Sequence, residues 1–192
     1  MASLLEVEDS VLVAVDVQPG FLARVESERA DRFLARAAWL VGVAVALEVP
    51  VLATTENAGQ WGGVHEAIAA RLPAGSVAHD KRVFGLADDP PVLAALKRAG
   101  RGSVLLLGME TDVCVAQSAI GLHDRGLDAR VVMDATASPG DAHEHGLERL
   151  RGAGVPLVSA KGVFMEWVRT PAACRAFEAA HPELFTDAPV LV

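Results

Sequence analysis

The stretch LLLGMETDVCVAQS, Leu105–Ser118, decides how this chain is read. An apolar run, Val104–Leu107, stops at Gly108, and a polar turn, Glu110–Thr111–Asp112, follows. From Cys114 the chain has the pattern of a helix that ends at Gly126. A buried strand, a tight turn and a cysteine at a helix start form a chemically useful arrangement. The free N–H groups and positive end of a helix lower a thiol's pKa and can hold an oxyanion. The same cysteine also reads as a small buried apolar residue, as most free cysteines are. The stretch alone leaves both readings open.

Working outward, further apolar runs of strand length alternate with helical patterns. Val11–Val15 is continuous and β-branched, as strands buried on both faces are. Glu28–Leu47 places Phe33, Ala37, Leu40, Ala44 and Leu47 at spacings of three and four, which predicts a helix. Strands are expected at Val49–Thr55, Ser76–Ala78, Ser103–Leu107, Ala129–Met133 and Val155–Ser159. Helices are expected at His65–Leu72, Pro91–Arg98, Cys114–Arg125, Asp141–Arg151 and Pro171–Ala180, several of them stopped by glycine. This order predicts an α/β protein: a three-layer α/β/α sandwich around an open, six-stranded, mainly parallel, Rossmann-like sheet. No linker or internal repeat divides residues 1–192, so one domain is expected.

Composition narrows the partners. Half the residues are hydrophobic, enough for a large core, and the net charge of −8 argues against a nucleic-acid partner. No apolar run reaches membrane-spanning length, and the N-terminus lacks the pattern of a secretion signal. Two cysteines, Cys114 and Cys174, make no disulfide framework, so a reducing, cytoplasmic setting is expected. The apolar terminus Pro189–Val192 has no evident place in the sheet and suggests a homo-oligomer.

Ligands of open parallel sheets bind at the carboxyl ends of the strands. Asp16, Thr54–Glu56, Lys81, Gly108–Cys114 and Asp134 all fall just past expected strand ends. Three of these have complementary chemistry. A thiol nucleophile at Cys114 needs a base, which Asp16 can be, and a cation, which Lys81 can be. Singly, Asp16 also reads as a turn cap and Lys81 as a solvated loop lysine.

These residues carry a resemblance to the isochorismatase-like cysteine hydrolases. The matching motifs are VAVDVQPGF (Val13–Phe21), TTEN (Thr54–Asn57), KRVFG (Lys81–Gly85), GMETDVCVAQSA (Gly108–Ala119) and VMDATAS (Val132–Ser138). The late FMEWVR segment (Phe164–Arg169) is similar to that of the YcaC-related branch. The resemblance implies a catalytic triad of Asp16, Lys81 and Cys114 and a cis peptide between Met109 and Glu110. It implies an oxyanion hole from the backbone N–H groups of Glu110 and Cys114, and acyl transfer through Cys114. The nicotinamidase branch carries an Asp-x-His metal pair after its second strand. TTENAGQWGG (Thr54–Gly63) has no such pair, so no metal and no other cofactor is expected, and nicotinamide is a doubtful substrate.

Gln18, Phe21, Glu56, Trp61 and Thr111 are candidate contacts for a small-molecule substrate. His143 and His145, two apart on an expected helix, point different ways and read as surface or capping residues. The leading function is a metal-independent hydrolase of small amides or related C–N bonds. The alternatives are an isochorismate-type ether hydrolase and a non-catalytic binding or assembly protein on the same scaffold.

Overall fold

The apolar runs become strands of a single parallel sheet. They are β1 (Ser10–Val15), β2 (Val51–Glu56), β3 (His79–Lys81), β4 (Ser103–Met109), β5 (Asp128–Ala137) and β6 (Leu157–Val158). Their order is β3-β2-β1-β4-β5-β6, and every pairing is parallel. The structure, a computed structural model, describes residues 3–186 and Ala188. Pro189–Val192 lies outside the described residues.

Helices cover both faces. α1 (Pro19–Leu22) and α2 (Ser27–Ala46) follow β1, while α3 (Ala58–Trp61) and α4 (Glu66–Ala69) follow β2. α5 (Pro90–Ala99) follows β3, and α6 (Ala116–His123) follows β4 through a π-helical turn, Thr111–Val115. α7 (Ala142–Gly152), α8 (Ala160–Val168) and α9 (Pro171–Ala180) complete the layers. Strand alternation divides the core. Leu12, Ala14, Leu105 and Leu107 pack with Phe33, Ala37 and Leu40 of α2 and Phe164 of α8. Val11, Val13, Val104 and Leu106 pack with Leu96 of α5, Leu122 of α6 and Leu150 of α7. Each such side chain contributes about 1.5–3 kcal/mol on full burial. This is the expected α/β/α sandwich.

Helix ends follow the local chemistry. Asp89 caps α5 by accepting from Val92 N–H at 2.9 Å, and Gly100 ends it in the left-handed region. Thr170 caps α9 in the same way at 3.1 Å. The expected boundaries of α9 match the observed ones.

The structure corrects several expectations. The third strand is His79–Lys81 rather than Ser76–Ala78, and Val77 is 83% exposed. A three-residue edge strand pairs on one side only and leaves little local pattern. Lys81 therefore ends a strand instead of lying in a loop. The helix expected from Cys114 begins at Ala116, so Cys114 sits inside the π-helical turn. β5 runs on to Ala137, with a register shift opposite Leu106–Gly108. Asp134 is consequently within the strand and turned toward other partners. It accepts from Ala160 N–H at 2.8 Å and lies 3.8 Å from Arg36.

Candidate active site

The strand order reverses between β1 and β4, and a crevice at the carboxyl ends of such a pair is where ligands bind in this architecture. Asp16 leaves β1 there with φ 49°, a left-handed conformation that aspartate tolerates better than most residues. β4 can lie this close because residue 108 is glycine. A Cβ at Gly108, where φ is +128°, would stand 1.9 Å from the Val15 carbonyl oxygen. The next peptide bond, Met109–Glu110, is cis.

The Asp16 carboxylate is fully buried and held on both oxygens. Thr54 Oγ1 donates to Oδ1 at 2.7 Å, and Lys81 Nζ lies 2.5 Å from Oδ2. That ion pair lacks hydrogen-bond alignment at Oδ2, so it is a close charge contact rather than a well-directed bond. Lys81 Nζ also donates to the Val83 carbonyl at 3.0 Å. Cys114 is buried, within electrostatic reach of both Asp16 and Lys81. Burial pushes its thiol above the ordinary range; the Asp16 charge adds to this, while Lys81 opposes it. Burial and the neighbouring carboxylate thus act against the acidifying effect of a helix start on the thiol. The field of a helix end is outweighed by desolvation and a neighbouring carboxylate.

The π-helical turn is held from outside. Glu110 O accepts from both Val113 and Val115 N–H at 3.1 Å. Ser138 Oγ donates to Asp112 Oδ1 at 2.6 Å. Thr111 Oγ1 lies 2.9 Å from His143 Nδ1 of α7. Gly146 lets α7 approach: a Cβ there would meet Asp112 N at 2.7 Å. His143 is thus no surface histidine. Burial lowers its pKa from the usual imidazole value. The helical period separated it from His145 but carried no sign of Thr111, which comes from another element.

The residues named as substrate contacts divide. Gln18 is fully buried and spends its amide on backbone: Nε2 donates to Glu56 O at 3.1 Å and Gly62 O at 2.6 Å, and Oε1 accepts from Glu56 N–H at 2.7 Å. It brackets β2 to the following loop. Thr111 is fully buried, with its hydroxyl turned to His143. Phe21 lies buried under Trp61, with ring centroids 5.0 Å apart, so the half-buried indole rests on an aromatic base. Glu56 is half-buried at the end of β2. Glu110 turns its carboxylate to Arg24 at 3.3 Å, and burial raises its pKa. Thr54, one of the polar residues expected at strand ends, orients Asp16, a role that the sequence reading does not assign to it.

A scan of family models matches the Isochorismatase domain over residues 10–162. The chain belongs to the isochorismatase family. Probable hydrolase YcaC of Escherichia coli K12 is 27% identical over 84% of this chain and 79% of its own length. Isochorismatase domain-containing protein 2 of Rattus norvegicus is 30% identical over 92% of this chain and 78% of its own. The crystal structure of the Escherichia coli YcaC gene product, an octameric hydrolase of unknown specificity, superposes with a TM-score of 0.82 at 24% identity. That superposition covers 96% of this chain and 94% of that one and shows a shared fold. The protein is therefore an isochorismatase-family hydrolase, resembling the YcaC branch. Among the described residues no helix is long and apolar enough to cross a membrane, and no group of three His, Cys, Asp or Glu is placed to hold a metal.

Proposed function

We propose that this single-domain protein cleaves a small amide or related C–N bond through an acyl-enzyme on Cys114. One observation carries the reading: a buried thiol stands beside a buried Asp16–Lys81 pair at the switch point of the sheet. Because burial raises the thiol's pKa, a nearby base is needed to take its proton as it attacks. Asp16 takes that proton, and Cys114 Sγ bonds to the substrate carbonyl carbon. The resulting oxyanion is received by the backbone N–H groups of Glu110 and Cys114. The C–N bond breaks as the leaving nitrogen takes the proton from Asp16. Water then attacks the thioester, delivering a proton to Asp16, and thiol and carboxylate are restored. Lys81 holds Asp16 in place and offsets the charge developing on sulfur.

The reading extends to assembly and location. A homo-oligomer is favoured by the octamer of the YcaC relative, and a cytoplasmic setting by the free thiol chemistry. The test is a panel of small amides, ureides and carbamates, followed by mass spectrometry for an acyl adduct on Cys114. An adduct that forms and decays at the turnover rate supports the reading. Full turnover by Cys114→Ala would overturn it.

A further inference from the structure

We propose that Glu56 makes this site selective by charge, admitting neutral substrates with N–H donors or cationic ones and rejecting carboxylates. The inference rests on the reading of Cys114 as nucleophile and adds the substrate class.

The register of the strands places the residue. Thr55 bonds Asp80 on one face of the sheet, through Oγ1 to Oδ1 at 3.1 Å, and these two are register partners. Side chains alternate along a strand, so the residues on either side of them point the other way. That opposite face carries Thr54, whose hydroxyl holds Asp16, and Glu56, whose register partner is Lys81. Glu56 therefore lies on the catalytic face, at the carboxyl end of its strand. Its backbone is pinned at both N–H and C=O by the Gln18 amide, so its position is built in. The charge of Glu56 also contributes to raising the Cys114 thiol, as a carboxylate close to sulfur must.

The neighbouring cations are already matched. Lys81 pairs with Asp16 at 2.5 Å, Arg24 with Glu110 at 3.3 Å and Arg82 with Asp80 at 2.9 Å. Among the described residues Glu56 has no ion-pair partner within 4.0 Å. His79 shares its face but lies two residues back along β3, about 7 Å further from the strand ends. That leaves the Glu56 carboxylate unmatched on this face, where partial burial strengthens its field. A dicarboxylate such as isochorismate would meet repulsion, since Lys81, Arg24 and Arg82 are each already paired among the described residues. An amide N–H or an ammonium group would find an acceptor.

The test needs no natural substrate. In a Cys174→Ser background, Cys114 is labelled with cationic, neutral and anionic methanethiosulfonates (ethyltrimethylammonium, methyl and ethylsulfonate), with rates read by intact mass and normalised to 2-mercaptoethanol. The normalised cation-to-anion ratio is expected at about tenfold or more, the scale of one unit charge a few ångströms away in a partly screened site. Glu56→Gln should collapse most of that ratio, and Glu56→Asp should retain it. Thermal melting of each variant identifies any misfolded protein, and the unmodified protein's ranking stands without a variant. A ratio of one or below, a ratio unchanged in folded Glu56→Gln, or no labelling of Cys114 by any reagent would each overturn the proposal. Turnover by Cys114→Ala would instead remove the acyl-enzyme reading, so the two failures are distinguishable.

Discussion

Lys81 Nζ lies 2.5 Å from Asp16 Oδ2, and neither side chain has any solvent exposure. Two charges from the ends of β3 and β1 are thus buried together, across the intervening β2. Desolvation makes such a pair costly to assemble, and more costly to break from one side.

Removing one partner should therefore be severe. Lys81→Met, or Asp16→Asn, is expected to lose about 3–5 kcal/mol of stability, because each strands a buried charge. The double variant should recover part of that loss, since the two changes are coupled through direct contact. Urea unfolding of the three variants measures this. Strictly additive losses would show that the pair does not act as a unit.

The thiol gives a pH signature. In the unmodified protein, alkylation of Cys114 by iodoacetamide should keep rising above the ordinary thiol range instead of levelling near pH 9.0. Asp16→Asn removes the negative charge beside the thiol, leaving Lys81 unopposed. Its profile should shift to lower pH while turnover is lost. A shift to higher pH would mean that Asp16 does not set the thiol's state.

His143 makes an acid-side prediction. Burial lowers its folded pKa, so on acidification the unfolded chain takes up the proton first. The stability tied to neutral His143 is full above the ordinary imidazole value of 6.5 and is lost as pH falls below it. His143→Gln should flatten this limb between pH 7.5 and 5 in thermal melts. An unchanged slope would sink the assignment.

Close packing of α7 on the π-helical turn can be tested with one methyl group. Gly146→Ala drives a Cβ to within 2.7 Å of Asp112 N, so the helix or the turn must move. A stability loss of about 1–3 kcal/mol is expected from such overpacking, with a changed Cys114 labelling rate. A melt and labelling rate identical to the unmodified protein would show that α7 does not position the turn.

Much of the architecture was legible because its determinants are local. Val11–Val15 and Val104–Leu107 are too continuously apolar for one-sided strands, and Pro171–Ala180 carries its own cap and N1 proline. β3 was misplaced because an edge strand of three residues imposes no period. Gln18 read as a contact because a polar residue near a site has the same signature whether it faces ligand or backbone.

The sequence by itself determined the alternation of strands and helices, the glycine at which the apolar run of β4 stops, and the presence of a thiol, a carboxylate and an ammonium at strand ends. These follow from side-chain shape and periodicity, which act over a few residues. Only the tertiary structure decided that Asp16 and Lys81 form one buried pair, that burial raises the neighbouring thiol's pKa and that His143 braces Thr111. It also decided that Glu56 shares a strand face with Thr54 and, among the described residues, has no ion-pair partner within 4.0 Å. Those properties depend on desolvation and on contacts between distant segments, and neither exists until the sheet has closed around them.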